Sequence, residues 1–137
     1  MTYKIDAHPF VFRIMSAVAV LFGLLTIKSG GLVLFTSGEA HQAAGNYVPF
    51  VLWFNFIAGF FYVIAGIGLW LQLNWSALLA KLIAFLTLSV FIAFGVHIFL
   101  GGISEVRTIA AMAMRLVIWS SIAAITFIII KKHTLSN

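Results

Sequence analysis

GVHIFLGGISEVRT, residues 95–108, is where the chain leaves one apolar run and enters another. It gathers His97, Glu105 and Arg107, and Arg115 follows shortly after. The whole chain of 137 residues holds only eight Lys and Arg and three Asp and Glu. A polar link between two oily runs, in a sequence so poor in charge, reads as a turn between two membrane helices.

The composition supports that reading. Hydrophobic residues make up 64% of the chain and charged residues 8%, against about half and about a quarter in a soluble domain. A domain of this size still exposes much of its surface, so such an excess cannot be hidden in a water-facing fold. The solvent is read as lipid. The formal charge is +5, but the cations are scattered between apolar segments and form no continuous basic face. Membrane topology accounts for them better than nucleic acid does. Cysteine is absent, which excludes disulfides, thiol chemistry and cysteine metal sites.

Four apolar segments approach the ~20 residues that a helix needs to cross a ~30 Å hydrocarbon layer. They run from about 10 to 35, 47 to 71, 76 to 100 and 108 to 130, within one domain. TSGEAHQAAGN (36–46), QLNWS (72–76) and GGISEVR (101–107) read as links. Pro49 suits the first turn of the second helix, and Asn74 or Ser76 suits an N-cap of the third. Short links predict antiparallel neighbours, so the expected fold is an all-α, up-down four-helix bundle in a membrane. Lys4, Arg13, Lys81, Lys131 and Lys132 fall on one side, which places both termini in the cytoplasm. Trp70 and Trp75 are then expected at the inner interface, and Tyr47 and Trp53 near the outer one. A cleaved leader ending near Ala40 or Ala44 is disfavoured, because the first apolar run is longer than a signal h-region and Lys28 interrupts it. FGLLTIKSGG (22–31) and FGVHIFLGG (94–102) echo each other, but chance recurrence in an oily chain explains that at least as well as duplication.

Small residues mark where membrane helices touch. Ser16, Ala19, Gly23, Ile27 and Gly30 share one stripe. Asn55, Gly59, Tyr62 and Gly66 share another, and Thr108, Met112, Arg115, Trp119 and Ile122 or Thr126 a third. These are read as inward faces.

Each helix also places a polar group in the outer half: Lys28, Asn55, His97 and Arg115. Lys28 lies about 140° round the helix from Gly23, off the stripe, and is expected to snorkel to headgroups. Glu105 suits the positive end of the fourth helix dipole. Arg107 reads as an interfacial cation, and His97 as a partner for a backbone carbonyl. Arg115 is harder to dismiss, since an intramembrane Arg costs about 2.5–3.5 kcal/mol on the insertion scale and usually faces a bundle or wet cavity. Trp119, one turn on, is placed to hold its guanidinium. The expectation is that Asn55, His97, Glu105, Arg115 and Trp119 form a ligand or proton-path site open to the outside, with Lys28, Tyr62 and Arg107 as contributors.

Known chemistries narrow the function. The first helix has no acid of the kind small multidrug exporters carry. No H-E-x-x-H, phosphate loop or Ser-His-Asp set occurs, and only His97 lies within a span, against a bis-His haem. No catalytic residue, metal or cofactor is expected. The leading reading is a protein without autonomous catalysis that binds a lipid-like or quinone-like ligand, or serves as an accessory subunit of a membrane complex or a homo-oligomer. The second is a proton, ion or small-solute transporter or channel subunit. The third is a membrane-embedded enzyme acting on a lipid or quinone. GNYVPFVLWFNFIAGFFYVIAGIGLW (45–70) and HIFLGGISEVRTIAAMAMR (97–115) resemble segments of short four-span bacterial membrane proteins. That resemblance implies a bacterial inner membrane and carries no activity.

Overall fold

The computed structural model describes residues 4–6 and 8–136. Its five helices are α1 (Pro9–Phe35), α2 (Glu39–Ala43), α3 (Pro49–Trp70), α4 (Asn74–Phe99) and α5 (Val106–Leu135). Strands are absent among the described residues; a single bridge pairs Lys4 with Leu73. The four long helices are each long and apolar enough to cross a membrane. At 1.5 Å per residue they run from about 33 to about 45 Å. Their outward faces carry bare Leu21, Leu25, Phe60, Phe61 and Phe85, a surface suited to hydrocarbon.

The helix ends follow from local chemistry. Pro9 and Pro49 occupy first-turn positions, where a missing N–H leaves no bond unmade. At the end of α4, Gly102 N–H donates to His97 O at 2.9 Å and Gly101 N–H to Ile98 O at 3.0 Å. Gly101 has φ +89, so this is a Schellman ending with glycine at its left-handed position. The α3 ending repeats the pattern with Gln72 at φ 54. The expected N-cap of α4 takes another form. Residue Leu73 occupies the cap position without a side-chain bond, and the Ser76 hydroxyl donates back to Leu73 O at 2.6 Å.

Between α1 and α3 the approach is closest. Ser16 Oγ donates to Gly66 O at 2.6 Å. A Cβ on Gly23 would lie 2.8 Å from Gly59 O, and one on Gly30 would lie 3.2 Å from Phe56 Cβ. Partner numbers fall along α3 as they rise along α1. Between α3 and α4, Gly68 lies against Trp75 and Ser76, and Val51 and Phe94 share a small core with Val48 and Met112. On α4 and α5, Lys81 Nζ stands 4.5 Å from the Phe127 ring. The larger core unites Phe12, Tyr62, Leu69, Ile83, Trp119 and Ile122. All three small-residue stripes face inward: Ser16, Ala19, Gly23 and Gly30 are buried on α1, as are Asn55, Tyr62 and Gly66 on α3 and Met112, Arg115 and Trp119 on α5.

Candidate functional site

The C-terminal end of α1, the N-terminal ends of α3 and α5, and α2 surround an open cleft of about 370 Å³. Thr26, Ser29 and Val33 come from α1, Val51, Leu52 and Asn55 from α3, and Arg107, Thr108, Ala111 and Arg115 from α5. Ala40 and Ala43 of α2, with Ala44 and Tyr47, close one side.

Two polar side chains are deeply seated in this cleft. Arg115 is 9% exposed and Asn55 8%. By helix rise they lie about 13 Å and about 9 Å from the starts of α5 and α3. Arg115 Nε, Asn55 Oδ1 and Thr26 Oγ1 are buried and make no hydrogen bond. The lone ion pair among the described residues joins Lys4 to Asp6, 4.0 Å apart at the surface, so Arg115 has no carboxylate partner. Its guanidinium carbon stands 5.3 Å above the Phe22 ring, and the Tyr62 hydroxyl lies beside it. An aromatic face offers a cation modest attraction but no counter-charge.

The aromatic support differs from expectation. Trp119 is fully buried and packs against Tyr62, with ring centroids 4.8 Å apart. Phe22 also stacks on Tyr62, at 5.8 Å. Phe22, four residues before Thr26, therefore holds the guanidinium face that Trp119 was expected to hold. Thr26 and Phe22 were missed, although Thr26 follows Gly23 by three residues and so shares its face.

The polar residues separate into four groups. Arg115 and Asn55 both line the cleft, with Arg107 at its mouth. Glu105 stands elsewhere: its Oε1 accepts the Asn46 backbone N–H at 2.9 Å. Ten residues before Arg115, it is about 15 Å away along the helix direction, and the link turns toward the 45–46 backbone instead of over the cleft. His97 is half-buried outside the cleft, on the edge of Phe50 at 6.1 Å, with Nε2 3.4 Å from Ile103 O. Lys28 is exposed on the outward side of α1.

One element the sequence did not show is α2. The run 36–46 was read as a polar turn, yet Glu39–Ala43 is helical. His41 Nδ1 stands 2.7 Å from Val33 O, and Arg107 donates to Ala43 O. With the Glu105 bond to Asn46, these contacts fasten α2 to α1 on one side and to the start of α5 on the other. No group of three or more His, Cys, Asp and Glu able to hold a metal ion occurs among the described residues. Comparison with protein-family models, with curated proteins and with solved structures finds no match, so the chemistry of this cleft is what the functional reading stands on.

Proposed function

We infer that the protein is a multi-pass membrane protein that binds a lipid-like amphiphile with an anionic or strongly polar head and performs no catalysis of its own. The observation that carries this is Arg115: a buried guanidinium without a carboxylate partner, lining a cleft that the unpartnered Thr26 hydroxyl also lines. A charge removed from water is expensive unless something pairs with it. A ligand head supplies that partner, and the apolar walls suit an apolar body, the usual composition of a small-molecule site.

The topology that fits is an up-down four-span bundle with both termini cytoplasmic. The opposite order of contacts along successive long helices supports the alternation, and the clustering of Lys4, Arg13, Lys81, Lys131 and Lys132 supports the orientation. The cleft then opens on the extracytoplasmic side. A bacterial inner membrane is the setting that the resemblance of 45–70 and 97–115 supports. A proton route through His97 draws no support from the cleft, because the ring stands outside it.

The test is native mass spectrometry of protein extracted in mild detergent. Wild type is expected to retain an amphiphile adduct that Arg115→Ala loses while eluting at the same size. Identical adducts on both proteins would refute the reading.

A further inference from the structure

Resting on that reading, the geometry points to the head and body of the ligand: a single-chain carboxylate, a fatty acid that enters carboxylate-first and seats its head on Arg115. Three observations lead there. The first is charge. The floor holds one guanidinium, and the second cation of the cleft, Arg107, lies eight residues away on α5, about 12 Å along the axis. The Arg107 guanidinium is engaged at the mouth, where it donates to Ala43 O. A carboxylate carries one negative charge and balances Arg115, whereas a phosphomonoester carries about −1.5 to −2 and would leave an excess buried in low dielectric.

The second is hydrogen bonding. The free Arg115 Nε belongs to the planar fork that matches a carboxylate with two parallel bonds. The Thr26 hydroxyl, buried without a partner on the same cleft, donates to a carboxylate oxygen.

The third is shape. Above the floor the wall is apolar, made by Val33, Val48, Val51 and Leu52. A space of about 370 Å³ sits near the lower end of the range of about 300–1,000 Å³ for ligand sites. That is room for one alkyl chain.

The experiment uses purified full-length protein in non-ionic detergent and four probes: dodecanoate, dodecyl phosphate, dodecanol and butyrate. Dodecanoate is expected to bind one to one and more tightly than the other three. Arg115→Gln is expected to weaken it about tenfold or more, the scale of one charge-assisted bond. Ala111→Phe, which fills the cleft from a half-buried wall position without touching a charge, is expected to abolish it and guards against misfolding of the Arg115 variant. Dodecanol binding as well as dodecanoate would overturn the carboxylate assignment, as would tighter dodecyl phosphate, though the amphiphile reading would survive either. Butyrate binding as tightly as dodecanoate would overturn the single chain in favour of a soluble carboxylate. Binding of none of the four would sink both readings.

Discussion

Arg115 is where stability and binding pull apart. If its guanidinium serves a ligand, the empty protein bears the cost of burying it. Arg115→Met keeps the length and removes the charge, so the ligand-free protein should gain roughly 2 kcal/mol, the scale of the insertion penalty. The check is the thermal midpoint in detergent after delipidation, which should rise. A fall of several degrees would make the guanidinium a structural strut instead. The glycines give a second contrast. Gly95 faces open space near the C-terminal end of α4, so Gly95→Ala should be neutral or stabilising by up to about 1 kcal/mol. Gly101 also meets nothing within 4 Å, but its φ of +89 is strained for any L-residue. Gly101→Ala should cost about 1 kcal/mol. Arg115 was legible from the sequence because charge is so rare there. Phe22 was not, because one phenylalanine among fourteen carries no mark of which ring a cation will meet.

Among the elements, the four long helices were legible because their apolar length is set by the thickness of a bilayer, a constraint local to each segment. The inward faces were legible too, since small residues at helical spacing are what let α1 and α3 approach. Gly66→Val tests that contact. Its Cβ would meet Val20 Cγ2 at 2.5 Å and Val20 N at 3.1 Å, and overpacking of this kind costs about 1–3 kcal/mol. The variant should unfold at a correspondingly lower temperature. Helix α2 was not legible. Five residues are too few to form an isolated helix, and what holds this stretch is contact with Val33 at the end of α1 and with Glu105 and Arg107, far off in sequence. Arg107→Ala should therefore speed hydrogen exchange in residues 39–46 while amides in mid-α3 keep their protection. Unchanged exchange in 39–46 would show that α2 is held by something else. The separation of Glu105 and His97 from Arg115 was hidden for a similar reason: link geometry, not spacing, sets where their side chains go.

At the scale of the molecule, the chain builds an apolar exterior, a core of aromatic and aliphatic side chains, and at one end a cleft whose polar floor lies well below the helix ends. Each part follows from the same physics. Lipid outside demands internal backbone bonding and apolar outward faces. Close helix contact demands small residues. A buried cation demands a counter-charge, which the described residues do not supply and a bound anion would. Since the chain lacks cysteine, one introduced thiol reports on the cleft without background. The most direct measurement is the rate at which a membrane-impermeant maleimide labels Ala111→Cys in intact cells, with and without added fatty acid. Labelling from outside that slows as the fatty acid fills the cleft is the predicted result. A thiol that reacts only after lysis, or equally fast in both conditions, would contradict an outward-facing cleft that binds an amphiphile.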